Sequence, residues 1–319
     1  DDLSRGLGDV YKRQVESCQR QLLLLHLTFI EPTGSGESVM TDEKAVLYEV
    51  QDGIATICLN RPDRMNAMNN ALMQGISDAV NKVREDHSVR VVVLTGAGRG
   101  FCAGADLQQV ADDSGAQQSN SNDSEQLGGT FNRALVDLME CPVPTVAKVN
   151  GAAAGGGFGL ALACDVSIAA HSAFFVATFG PNLGIVPDMG TTWNLPLRVG
   201  RARALGLALL GERIPATKAE QWGLIWSAVA DAELDERVAE IAEVLKRSSP
   251  DASVRNRDTI NAANHNSFPE QLDLEMAHQA VLIPKNMREG ARAFLQKRTP
   301  QFDGCLLYTS PSPRDRSSS

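Results

Sequence analysis

Two places in the chain constrain its fold more than any other. Val89 to Leu94 and Thr145 to Val149 are largely apolar stretches of strand length, broken only by Arg90, Thr145 and Lys148, as strands buried on both faces require. Each leads into a segment crowded with glycine and alanine. The first passes through Thr95-Gly96-Ala97-Gly98 to Arg99-Gly100-Phe101-Cys102-Ala103-Gly104-Ala105-Asp106-Leu107. The second is Asn150-Gly151-Ala152-Ala153-Ala154-Gly155-Gly156-Gly157-Phe158-Gly159. Strand-to-helix junctions of this composition let backbone N–H groups approach a ligand oxygen with no side chain in the way. Helix N-termini favour negative charge there, and two such junctions can converge as an oxyanion hole. Close packing of helix against sheet accounts for either segment alone about equally well. A dinucleotide site is disfavoured, because the third glycine of G-x-G-x-x-G falls on Leu160.

The rest of the pattern is that of an α/β chain. Val46–Val50 and Ile54–Leu59 flank Gln51-Asp52-Gly53, a hairpin signal. Asn69 to Arg84 has helical spacing, Gly155 to Ala163 reads as a small-residue helix, and Asp165 to Ala170 as a third buried strand. Ala111 to Gly129 is Ser/Asn/Asp/Gln/Gly-rich and reads as a surface loop. From Arg201 onward the pattern is mostly helical, including Asp235–Arg247, Gln271–Ala280 and Arg288–Gln296. Strands alternating with helices, then a helical tail, predict an α/β domain over 40–230 and a helical subdomain over 231–304. No repeat is visible in the sequence.

The ends read differently. Asp9-Val10-Tyr11-Lys12-Arg13-Gln14 can be encoded GAT GTG TAT AAG AGA CAG, whose reverse complement, one base out of frame, encodes Cys-Leu-Leu-Tyr-Thr and the start of a Ser codon. That peptide is Cys305–Ser310, so the pair resembles inverted transposon-adapter ends carried into translation. Residues 1–39 are therefore expected to be a non-native, disordered leader, Met40 the native start and 305–319 an adapter-derived tail. The apolar run Leu22 to Ile30 is too short for a span, which needs about 20 residues, and no signal-peptide cleavage site follows it. The whole chain has 30 Lys+Arg and 39 Asp+Glu, net −9. Residues 40–304 keep 24 and 32, net −8. That balance argues against a nucleic-acid partner. Cys58, Cys102, Cys141 and Cys164 have no CxxC spacing, so neither a metal site nor a disulfide framework is expected, and a cytosolic setting fits. No histidine stands in a catalytic motif, and there is no Gly-x-Ser-x-Gly elbow.

Several segments together resemble the crotonase superfamily of enoyl-CoA hydratases and isomerases. They are Leu59-Asn60-Arg61-Pro62 with Asn66-Ala67, Gly100 to Leu107, Asn150-Gly151 with Gly155-Gly156-Gly157, Gly184-Ile185-Val186-Pro187-Asp188, and Phe294-Leu295-Gln296-Lys297-Arg298. The resemblance covers essentially all of 40–304, in order. It implies a spiral of ββα units with C-terminal helices that pack in a homotrimer or dimer of trimers. It also implies an acyl-CoA thioester substrate, whose CoA is the only coenzyme involved, and no membrane partner. The oxyanion N–H groups then fall on Ala105 and Gly156. Arg64, Met65, Asn66, Ala67, Ala103, Gly104, Asp106, Leu107 and Gly155 line the CoA channel, with Lys297 near CoA, from the same or a neighbouring subunit. Asp106 itself suits a helix N-cap better than catalysis. Val186 to Trp193, Leu205 to Gly211, Gln221 to Trp226, Gln271 to Glu275 and Lys297 to Phe302 add a likeness to the branch that isomerises ring epoxides of phenylacetyl-CoA.

The departures from the family pattern bear on the reaction. Hydratases use two glutamates; by alignment these fall on Gly159 and Gly180. Asp188 stands where isomerase branches carry one acid, and one carboxylate suffices for a 1,3-proton shift. Such a base works best with a raised pKa, which Phe158, Phe179, Ile185, Val186 and Met189 would supply as an apolar pocket. Without the resemblance, Asp188 reads as a turn residue after Pro187. The expected function is acyl-CoA isomerisation through an enolate held in the oxyanion hole. The alternatives are a hydratase using Asp188 and an acid from the loop carrying Asp112 and Asp113, and a non-catalytic or RNA-binding relative. Asp165, at a strand start, reads as structural.

Overall fold

A computed structural model describes residues 44–108 and 123–302, with the side chains of 123–128 left aside. The expected leader and tail, and Asp112 and Asp113, lie outside these residues.

The hairpin forms as the Asp-Gly signal predicts. Strand β1 (Val46–Gln51) pairs antiparallel with β2 (Ile54–Leu59). Asp52 and Gly53 take φ +50° and +77°, the twist that two-residue hairpin turns need. Helix α1 (Asn70–Glu85) is capped by Asn69, whose side chain accepts the Leu72 N–H at 2.9 Å. It buries Leu72, Met73, Ile76, Val80 and Val83 along one stripe.

Three consecutive ββα units follow. The first is β3 (Val91–Gly96), β4 (Gly100–Cys102) and α2 (Asp123–Met139). The second is β5 (Thr145–Val149), β6 (Ala152–Ala154) and α3 (Gly156–Leu162). The third is β7 (Val166–Ala170), β8 (Phe174–Val176) and α4 (Phe179–Leu183). The longer strand of each unit joins a six-stranded sheet, β1-β2-β3-β5-β7-β10, and the shorter a four-stranded sheet, β4-β6-β8-β9. Here β9 is Ile214–Pro215 and β10 is Ser227–Val229. All pairs are parallel except β1–β2 and β8–β9. The unit thus repeats in space although no repeat shows in the sequence. What recurs is a strand, a corner and a helix, filled by different side chains.

Helix α5 (Thr191–Leu210) breaks at Gly200, and α6 (Ala216–Gln221) leads towards β10. Helix α7 (Leu234–Lys246) lies on β3, β5 and β7, burying Leu234, Val238 and Ala242. Helices α8 (Pro250–Ala262), α9 (Phe268–Leu282) and α10 (Arg288–Leu295) complete the described chain. The surface loop expected to reach Gly129 is corrected: α2 is already helical at Asp123, its glycines notwithstanding. Its apolar positions Ala134, Leu135 and Leu138 are buried in the core, and such packing outweighs the poor helix propensity of glycine.

Candidate active site

The first junction is stitched to the segment before α1. Asn66, fully buried, accepts the Arg61 N–H at 2.8 Å and donates to the carbonyls of Ala97 and Gly100, each at 2.9 Å. Its side chain is spent on holding the loop. Met65 and Asn66 both take left-handed backbone, and the Ala103 N–H donates to Met65 O at 3.0 Å. Met68 then brackets Ala105: its N–H donates to Gly104 O at 2.7 Å and its carbonyl accepts the Asp106 N–H at 3.0 Å. Among the described residues the Ala105 N–H between them has no backbone acceptor. Arg61 ties the turn down by pairing with the Asp106 carboxylate at 2.8 Å and donating to Ala67 O. Asp106 precedes the helical residues Leu107 and Gln108, at the chain position a cap would take.

The second junction rests on Asn150, which donates to Gly96 O at 3.0 Å and Gly98 O at 2.9 Å. Gly155 takes φ +52° and ψ −127°, a conformation open to glycine alone, and its N–H donates to Val176 O at 2.9 Å. Gly156 then opens α3, where a first-turn N–H has no helical acceptor. The two junctions meet. A Cβ on Gly104, itself at φ +94°, would lie 2.9 Å from Ala154 O and 3.5 Å from the Gly156 nitrogen. A Cβ on Gly155 would lie 3.7 Å from the Gly104 Cα. Both readings of the glycines therefore hold, at different positions. Gly151 and Gly157 serve close packing, since a Cβ on either would lie 2.2 Å from a backbone oxygen of the neighbouring junction. Gly104 and Gly155 let the two segments that carry the Ala105 and Gly156 N–H groups come together.

Asp188 stands beside this pair. Its Oδ1 is 3.7 Å from the point that a Cβ on Gly156 would occupy. Its carbonyl accepts the Thr191 N–H at 2.9 Å, which starts α5. Met189 and Gly190 follow at φ +49° and +69°. The residue is exposed at the mouth of the site. Even so, burial of its carboxyl raises it above the ordinary carboxylate range, against a smaller lowering by its own backbone N–H. The expected apolar pocket is one-sided. Phe158, Phe179 and Met189 are buried, but Ile185 and Val186 are 51% and 78% exposed and close no wall. They follow α4 in an exposed stretch. Phe158 packs inward, its ring centroid 5.2 Å from that of Phe175.

The two glycines at the family's glutamate positions have no room for a side chain. A Cβ on Gly159 would lie 2.2 Å from Met189 O, and one on Gly180 would lie 2.9 Å from Ala208 O. The backbone itself fills the space.

Other expected residues fall around the rim. Arg64, Ala103 and Leu107 are exposed, with Arg64 donating to the Gln108 side chain. Ala67 is buried. Lys297 is placed elsewhere. It follows α10 at φ +52° and lines a concavity with Val244, Arg247, Arg298 and Phe302. The sequence reading missed the bracing by Arg61, Met68 and Met189. Arg61 stood within the quoted Leu59-to-Pro62 motif, which was the one available signal; a methionine read alone signals only core.

Comparison with known proteins bears on fold and family. A family model described as enoyl-CoA hydratase/isomerase matches residues 49–305. The 1,2-epoxyphenylacetyl-CoA isomerase of Escherichia coli (strain K12) is 41% identical over 261 residues, 81% of this chain and 98% of that protein. A protein named probable enoyl-CoA hydratase, from Rhodobacter capsulatus, is 42% identical over 260 residues, again 81% and 98%. A solved enoyl-CoA hydratase from Polaromonas sp. JS666 superposes with a TM-score of 0.76 at 31% identity, covering 81% of this chain and 99% of its own. Fold and sequence agree, and the chain belongs to the enoyl-CoA hydratase/isomerase family of the crotonase superfamily.

Proposed function

We propose that the chain is an acyl-CoA isomerase that moves a proton along its substrate with one carboxylate. The N–H groups of Ala105 and Gly156 polarise the thioester carbonyl. Asp188 takes a proton from the α-carbon, the negative charge spreads to the oxygen held by the two N–H groups, and the protonated Asp188 returns the proton to the γ-carbon. The double bond moves from the 3- to the 2-position and the carboxylate is regenerated. The CoA belongs to the substrate, and the scheme calls for no further cofactor. The ring epoxide of phenylacetyl-CoA is the second substrate class, by likeness to the Escherichia coli isomerase.

The observation that carries this reading is the pairing of one carboxylate beside Gly156 with two glutamate positions closed by backbone. A hydratase needs a group to activate water and another to deliver a proton. Asp188→Asn should lower isomerisation of a 3-enoyl-CoA by roughly 100-fold or more, in line with loss of a general base, while binding of the CoA ester persists. Near wild-type turnover in that variant would remove Asp188 from the mechanism. Fast hydration of crotonyl-CoA by the wild type would favour the hydratase reading, which the Rhodobacter capsulatus relative's name also carries.

Two further expectations belong with this proposal. Arg64, Met65 and Ala103 to Leu107 would border the CoA, with Lys297 reaching it from a neighbouring subunit of a trimer in the cytosol. Among the described residues no helix is long and apolar enough to cross a membrane.

A further inference from the structure

We propose that Met189 is a positioning residue: its side chain, wedged against Gly156, Gly159 and Met68, fixes the Asp188 carboxyl beside the Gly156 N–H. The inference rests on the catalytic reading of Asp188 for its consequence, but not for its geometry.

A turn between Pro187 and α5 needs left-handed backbone, and glycine or asparagine would adopt it with less strain than methionine. Methionine nevertheless holds φ +49° there and is only 4% exposed. What it gains over a glycine is the side chain. That side chain lies in a cradle made by two glycines three residues apart on α3. A Cβ on Gly156 would lie 2.9 Å from the Met189 Cγ and 2.3 Å from the Met68 Cε. A Cβ on Gly159 would lie 2.8 Å from the Met189 Cβ. The Asp188 Oδ1 borders the same point on Gly156, at 3.7 Å. Met189 and Asp188 are adjacent, so a wedge that cannot turn also holds the carboxyl, which otherwise stands at an open mouth beside exposed Ile185 and Val186. Among the described residues, burial raises that carboxyl and its own backbone N–H opposes the rise. The burial comes from packing, and Met189 is a buried side chain next to it.

The test uses the full chain with Met189→Ala and Met189→Leu, each checked for folding by circular dichroism. Asp188 is titrated by carboxyl carbon-13 NMR, its resonance assigned with Asp188→Asn, and kcat and KM are measured on a 3-enoyl-CoA. In Met189→Ala the Asp188 midpoint should fall toward the ordinary value of about 3.9. Its kcat should fall roughly 10- to 100-fold, as misplacement of a reacting group predicts, with KM near wild type. Met189→Leu should restore both. Should the alanine variant not fold, Met189→Gly, which relaxes the left-handed backbone while removing the wedge, takes its place. An unmoved Asp188 midpoint in a folded alanine or glycine variant overturns the proposal, whatever happens to kcat. If Asp188→Asn keeps wild-type turnover while the midpoint still moves, the positioning stands and the catalytic reading falls.

Discussion

Burial disfavours the charged form of Asp188, so the folded chain bears a cost that the unfolded chain does not. The sign follows from linkage. A raised carboxyl binds more protons in the folded state, so this destabilisation is absent below the unfolded pKa of about 3.9 and grows as pH rises through the folded value. Asp188→Asn removes it. The variant is expected to melt at or above the wild-type temperature at pH 7, with the gap closing on acidification; scanning calorimetry across pH checks this. The wild-type enzyme should lose kcat/KM as pH falls through the same raised value, because the base must be ionised to act. An acid limb in the ordinary carboxylate range would contradict the burial. Thr191 makes a sharper case. Its hydroxyl is buried without a hydrogen-bond partner among the described residues. Thr191→Val loses no bond and removes an unpaired polar group, so chemical denaturation should find it as stable as wild type or more so. A loss above about 1 kcal/mol, a usual worth of one hydrogen bond, would reveal a partner for that hydroxyl. Sequence reading reached Asp188, Ala105 and Gly156 as residue types in a motif. It named Met189 only as part of an apolar pocket and could not reach its wedge against α3 or the unpaired Thr191 hydroxyl, because both depend on how a left-handed turn meets α3.

Elements were legible where their own pattern is long enough to repeat. β3 and β5 were marked by largely apolar stretches, α1 by the helical spacing of Asn69 to Arg84, and the β1–β2 hairpin by Asp52-Gly53. The three-residue strands β4, β6 and β8 were not, since three residues cannot display an alternation of period two. They exist because short corners after the long strands, with glycine in the first two and His171-Ser172-Ala173 in the third, turn the chain into a second sheet. Nor does local pattern show how α8 is attached. Arg257 donates to both Asp165 oxygens at 2.6 Å, and to the carbonyls of Met139, Cys141 and Val143 at 2.6 to 3.1 Å. Asp165 also accepts the Thr145 N–H at 2.8 Å, which makes it the structural residue that the sequence suggested. One guanidinium thus ties α8 to the end of α2 and to the starts of β5 and β7. Arg257→Ala leaves a partly buried carboxylate and three carbonyls without their donor, and should cost about 3–5 kcal/mol, as breaking a buried ion pair does. Arg257→Lys should recover only part of this, since one ammonium cannot reproduce the fork. Urea denaturation of the two variants measures both; a loss under about 1 kcal/mol, the worth of an exposed pair, would mean that α8 is held by something else.

The described chain covers its six-stranded sheet with α7, but leaves apolar side chains of its last helices exposed. Phe268, Met276, Met287, Phe294 and Leu295 are 61–83% exposed, though each is a residue type that normally goes inside. Single exposed apolar residues need no explanation, but a series of them along α9, the π-helical segment Ile283–Met287 and α10 is what a surface for association would present. The chain's net charge of −9 bears on what that surface meets. Copies of an acidic chain repel one another at long range, so contact between them has to come from apolar area and strengthens when salt screens the repulsion. The expected state is a trimer at micromolar concentration that persists or tightens in 0.5 M salt, read by light scattering coupled to gel filtration. Phe294→Glu adds a charge to the most exposed of these positions and is expected to shift the population toward monomer without unfolding it, because Phe294 contributes little to the monomer's core. An assembly that salt dissolves would mean that polar contacts hold the copies together; a monomeric wild type would mean that this face is not an interface, and the placing of Lys297 beside a neighbour's substrate would fall with it.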